Sequence, residues 1–208
     1  MNLKPSKKLL ILMMLSLILS LNYSMKAQKN HIYPASLTNE IETALGYFPQ
    51  LEDVKITFKF KPDIKKSTMQ AQPRFMSLFR SRPNREYFIF ISEKFKIKDN
   101  EFKTLDIPSD VITGWIGHEL GHVLDYENRS SLNLFWFGFK YLLLKKHIIE
   151  AERAADTFAV RQGMEDYILK TKNFILNHVD IDQTYKARIM RYYLSPEEIM
   201  QIVQNREI

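Results

Sequence analysis

The chain has no cysteine among its 208 residues. That excludes a disulfide framework, a thiol nucleophile and any thiolate metal site, so a bound metal must be held by His, Asp and Glu. Long apolar runs are scarce as well. The run from Leu9 to Leu21 covers thirteen residues, well short of the ~20 that cross a bilayer as a helix. It follows Lys4, Lys7 and Lys8, which is the arrangement of a secretory signal. We therefore expect residues 1–27 to be a signal peptide, cleaved after Ala27 or kept as an anchor, and the domain to be exported to a periplasmic, cell-envelope or extracellular location. A strong excess of one charge is also missing. The formal net charge is +6, but the first 27 residues carry four lysines and no acid, which leaves +2 without them. Such a balance gives no reason to expect nucleic acid as a partner. No repeat, low-complexity tract or linker divides residues 28–208. With 45% apolar residues, that length suits one domain stabilised by its core.

What is present reads as strands first and helices after. Leu37, Ile41, Ala44, Leu45 and Phe48 have helical spacing. "VKITFKFK" (Val54 to Lys61) alternates strictly and predicts a half-buried strand. "EYFIFIS" (Glu86 to Ser92) is a second strand, apolar on both faces, and the proline-bearing stretch between them leaves room for a short strand and a turn. Beyond Pro108 the pattern is helical, with Ser109 or Asp110 as a cap. "IIEAERAADTFAVRQG" is a helix stopped by Gly163. Two more follow at Glu165–Asn177 and Gln183–Leu194. "SPEEI" opens a last one, with Ser195 as N-cap, Pro196 at the first helical position and Glu198 completing a capping box. This order predicts a segregated α+β domain.

The chemistry is concentrated in "TGWIGHELGHVLDY". Residues four apart on a helix are separated by about 40° around its axis, so His118 and His122 project side by side. Two imidazoles so placed can take adjacent corners of a zinc tetrahedron. Glu119 flanks them, placed to take a proton from water that the ion activates. A third ligand is still required. A histidine on a turn after the helix, preceded by glycine, is excluded, because those positions hold Asp125 and Asn128. A glutamate from a second helix is available instead. In "EAERAADTFA", Glu152 and Asp156 share a face. Glu152 can bind the metal, and Asp156 can accept a hydrogen bond from the outward nitrogen of a ligand histidine. The same pair also fits an ordinary solvated face.

Over Tyr87 to Gly163, HELGH followed by ExxAD resembles the gluzincin zinc peptidases. It is especially similar to the minigluzincins and to the membrane-associated family of CAAX-processing and heat-shock zinc peptidases. The resemblance implies a zincin-like fold with Zn²⁺ on His118, His122 and Glu152. It further implies Glu119 as general base, Asp156 as the partner of His118, and "EYFIFIS" as an edge strand above the motif helix that pairs with an extended peptide. A peptide or protein would then be the substrate. The alternative is a metal-stabilised module of the same fold that binds a peptide or envelope partner without turnover.

Weaker signals surround this core. An oxyanion donor is expected among His178, Tyr185, Arg188 and Tyr192, with His178 preferred. His147 and His31 read as surface histidines. "LNLFWFGFKYLLLKKH" (Leu132 to His147) is unusually apolar. We expect it to be a buried helical connection, with contact to a membrane surface through Leu132–Leu144 as the alternative.

Overall fold

The computed structural model describes residues 30–206, apart from 63, 65, 66, 98, 99 and 178–182. The expected signal segment and His178 lie outside the described residues.

The alternating stretch forms β2 (Lys55–Lys61), with Ile56 and Phe58 buried and Lys55 and Lys59 exposed. It pairs in parallel with β1 (His31–Ile32) on one side and with β4 (Glu86–Ser92) on the other. β3 (Met69–Pro73) adds to the far side of β4 in antiparallel register. The sheet order is thus β1-β2-β4-β3, and β5 (Lys94–Ile97) pairs separately with β6 (Asn100–Lys103). Tyr87, Ile89 and Ile91 of β4 point into the core, while Phe88 and Phe90 lie on the opposite face under the ammonium groups of Lys59 and Lys61.

This arrangement corrects one expectation. "EYFIFIS" is an interior strand, and the edge strand on the motif side is β3. The reason is visible in the composition of β4. A strand apolar on both faces gains most where it has neighbours on both sides, whereas β3 carries Pro73, which has no N–H to donate and belongs at an edge.

The helices are α1 (Thr38–Gly46), α2 (Ser109–Glu127), α3 (Ser131–Leu143), α4 (Lys145–Arg161), α5 (Glu165–Asn177), α6 (Gln183–Tyr192) and α7 (Pro196–Arg206). The fold is α+β, with a small mixed sheet and a helical C-terminal half. Gly163, at φ +96°, follows the end of α4. Ser195 and Glu198 exchange the two hydrogen bonds of a capping box before α7. The expected cap of α2 is not made: Ser109 donates to Glu40 on α1 instead. His31 is half-buried in β1, with its ring against the Leu51 carbonyl at 3.0 Å, and is not a solvated side chain.

α2 lies at the centre. Fifteen of its nineteen residues are buried, so it must accept neighbours on nearly every side. α1, α4, α5 and β3 all pack on it. Its glycines make this possible. A β-carbon at Gly114 would fall 2.5 Å from the Tyr167 carbonyl oxygen of α5, and one at Gly121 would fall 2.3 Å from the Ala155 carbonyl oxygen of α4. Both neighbours are backbone and cannot swing away. At the far end of α2, the buried Arg85 donates to the carbonyls of Tyr126 and Arg129 and to Ser131 Oγ. A cation is well placed there, at the negative end of the helix dipole.

α3 also departs from expectation. Leu134 is buried, but Leu132, Phe135, Trp136, Phe139, Leu142 and Leu143 are each more than half exposed. One face of α3 meets the protein, and among the described residues nothing covers the apolar residues on its other face.

Gly121→Ala is expected to destabilise the metal-free protein by about 3 kcal/mol or more through backbone overpacking. Gly46→Ala, at a helical position with open space around it, is expected to be neutral or stabilising by about 0.5–1 kcal/mol. Urea unfolding of both variants checks the pair, and equal midpoints would refute the close-approach argument.

Candidate metal centre

α2 supplies His118 and His122 on adjacent turns, with ring centroids 4.8 Å apart. α4, pressed against Gly121, supplies Glu152. Its Oε2 lies 3.1 Å from His118 Nε2 and 3.6 Å from His122 Nε2. All three side chains are buried, and their donor atoms lie close enough together to bind one metal ion. The distances suit a shared cation. A tetrahedron with arms of 2.0–2.1 Å has edges of about 3.3–3.4 Å, and the two observed separations bracket that value. His122 fits such a role in a second way. Its Nδ1 is buried without a hydrogen-bond partner, and the nearest carboxylate is beyond hydrogen-bond range of its Nε2. Nε2 faces Glu152 from just beyond hydrogen-bond range, so a lone pair there is open to a metal.

Further groups orient these three. His118 Nδ1 is 2.9 Å from Asp156 Oδ1, which fixes the ring and leaves Nε2 facing Glu152. Asp156 is fully enclosed. Its Oδ2 accepts from Lys172 Nζ at 2.6 Å and from the Leu194 N–H at 3.0 Å. Tyr141 on α3 donates to Glu152 Oε1 at 2.9 Å. Tyr126 stacks on His122. The Tyr193 ring lies 5.4 Å from His118 and covers the Lys172 ammonium. Glu119 reaches the sheet, where its Oε2 accepts the Ala71 N–H of β3 at 2.6 Å.

The charges follow from these contacts. Burial alone lowers the His118 pKa, but hydrogen-bonded carboxylates at both ring nitrogens outweigh it and raise the pKa from 6.5 to about 10. Burial raises the Asp156 pKa, yet Lys172 and His118 overcome this and bring it from 3.8 down to about 2. Glu152 is likewise disfavoured by burial and held well below the carboxylate range by the two histidines. Glu119 shows the opposite balance: burial dominates and raises its pKa, with the nearby histidines and the Ala71 N–H only partly opposing. Burial also raises Tyr126, Tyr141 and Tyr193, so these phenols keep their protons.

Beside the cluster is a cavity of about 60 Å³, lined by Met69 at the start of β3 and by Trp115, Ile175, Tyr185, Arg188 and Tyr193. Of the oxyanion candidates in the sequence, Tyr185 and Arg188 line this cavity. Tyr192 points elsewhere, against Arg188 and near Lys145. His147 pairs with Glu150 and does not join the three ligands. Sequence reasoning missed Ala71, Tyr141, Lys172 and Tyr193. Three of them did leave a signal. Lys172 occupies the buried stripe Ile168, Thr171, Lys172, Ile175, a helical spacing at which a lysine needs a partner. Tyr185, Ile189 and Tyr193 are four apart and face the same cavity, which selects Tyr193 over Tyr192. Tyr141 lies one turn beyond Phe137 on the inward face of α3.

His118 contributes to the stability of the metal-free fold fully below pH 6.5 and loses that contribution as the pH rises through about 10. The Asp156 contribution is present above pH 3.8 and is lost as the pH falls through about 2. A metal must displace the His118 proton. Zn²⁺ binding at pH 7 is therefore expected to release about one proton, read by calorimetric titration in two buffers of different protonation enthalpy; binding without release would mean that His118 is neutral beforehand. Glu152→Ala is expected to weaken zinc binding by about 100-fold or more, and Lys172→Met by about 10–100-fold. His147→Ala should leave it unchanged in equilibrium dialysis, and unaltered affinity in Glu152→Ala would remove that residue from the ligand set.

Comparison with family models, with curated proteins and with solved structures matches none of them.

Proposed function

We propose that this chain is an exported zinc-dependent endopeptidase with a gluzincin-type site on a zincin-like fold. The observation that carries the reading is the Ala71–Glu119 hydrogen bond, which joins an edge strand to the acid beside a buried His-His-Glu cluster. Zinc suits two imidazoles and a carboxylate, and when bound by His118, His122 and Glu152 it would supply a Lewis acid for a substrate carbonyl and for water.

The remaining steps belong to the protein. Ala71 holds Glu119 Oε2, which leaves Oε1 to receive a proton and later pass it to the leaving amine. Burial raises the pKa of Glu119, which makes its carboxylate a stronger proton acceptor. β3 turns the backbone groups of Thr68 and Arg74 towards β4. The alternate residues Met69 and Ala71 therefore aim theirs outward; with the Ala71 N–H held by Glu119, the Met69 N–H and C=O and the Ala71 C=O are left for an extended peptide to add as a further strand. This transfers to β3 the role expected of "EYFIFIS". Tyr193 keeps its proton and lines the cavity beside His118, and among the described residues it is the best placed donor for an oxyanion. Asp156 and Lys172 hold His118 in one tautomer while Tyr141 holds Glu152.

Glu119→Gln is expected to retain zinc and lower cleavage of a mixed peptide library by about 100-fold or more. Zinc binding by the wild type with no cleavage across that library would instead support a binding module.

A further inference from the structure

We propose that the outer face of α3 is a docking surface for an anionic phospholipid bilayer. The helix has two unlike sides. At about 100° per residue, Leu132, Phe135, Trp136, Phe139, Leu142 and Leu143 fall within an arc of about 120°, and each is more than half exposed. Leu134 and Tyr141 point the other way, into the protein and onto Glu152. The exposed arc is continuous, large and aromatic, which an ordinary solvated surface does not maintain.

Charge and chemistry select lipid as the occupant. No acid occurs from Asn128 to Ile149, while Arg129, Lys140, Lys145 and Lys146 do. Immediately beside the apolar arc, a cleft of about 260 Å³ between α3 and α4 is lined by Arg129, Trp136, Lys140 and His147, with Glu150 as its one acid. Arg129 is committed to Asp125, and His147 to Glu150. Lys140 has no ion-pair partner among the described residues. An unpaired cation beside an exposed apolar arc that includes tryptophan suits a headgroup phosphate next to acyl chains. A second acid-free stretch lies next to it. Arg74 to Arg85 exposes Phe75, Met76 and Phe79, and Arg85 ties its end to Ser131 at the start of α3. No helix among the described residues is long and apolar enough to cross a membrane, so α3 lies in the interface plane. Tyr141 then places the metal cluster about one helix diameter, ~10 Å, behind the docking face. This proposal stands on the surface alone and does not rest on the peptidase reading.

The test uses the full chain. It has two tryptophans, so Trp115→Phe leaves Trp136 as the sole reporter. With vesicles of phosphatidylcholine and phosphatidylglycerol, Trp136 emission should shift to the blue and be quenched by brominated acyl chains. Partition should be about tenfold or more stronger than onto phosphatidylcholine alone, and Lys140→Glu should reduce that preference. Phe135→Ser with Phe139→Ser should weaken partition about tenfold or more without moving the urea midpoint, because both side chains are exposed. Vesicle-bound chain with unquenched Trp136 would overturn the proposal, since another segment, such as residues 1–29, would then hold the lipid. A blue shift without vesicles that grows with protein concentration would overturn it as well, by showing that a second copy covers the face.

Discussion

The contact between α2 and α4 at Gly121 is the constraint on which the rest depends. Two histidines four apart are already neighbours on their own helix. They become a three-donor cluster because α4 comes near enough to put Glu152 between their inner nitrogens. That approach is set by backbone meeting backbone, with the Ala155 carbonyl in the space a β-carbon would fill. A wider gap would leave Glu152 without the histidines and Asp156 without His118. The glycine inside HELGH is therefore as much a part of the site as the residues that carry its chemistry.

Closeness creates an electrostatic problem that the remaining polar residues answer. Glu119, Glu152 and Asp156 are buried within a few side chains of one another, and uncompensated burial of charge is costly. Asp156 is surrounded by His118, Lys172 and a backbone N–H, so it stays ionised and orients the ring. Glu152 faces two imidazoles and a phenol. Glu119 has a single backbone donor and correspondingly the weaker hold on its charge. The three carboxylates thus differ through their surroundings, and Glu119 is the one left with the raised pKa.

α3 shows how a sequence pattern can mislead. Its apolar composition suggests a buried connection. Helical geometry decides otherwise. A segment that contacts the protein through Leu134, Phe137 and Tyr141 must carry positions 132, 135, 136, 139, 142 and 143 on the far side. Glu86–Ser92 shows the opposite case, an interior strand where the resemblance implies an edge. Its apolar residues on both faces point to the sheet interior.

The sequence by itself determined what depends on local geometry. Helical spacing put His118 beside His122 and Glu152 beside Asp156, alternation made Lys55–Lys61 a strand, and the absence of cysteine limited the donors to nitrogen and oxygen. The tertiary structure alone decided which distant groups meet. Ala71 is 48 residues from Glu119, and Lys172 and Leu194 reach Asp156 from two other segments. Tyr141 touches Glu152 because α3 folds back over the cluster. Backbone periodicity fixes neighbours within one element. Contacts between elements depend on how helices and strands pack, and that depends on side-chain volumes across the whole core.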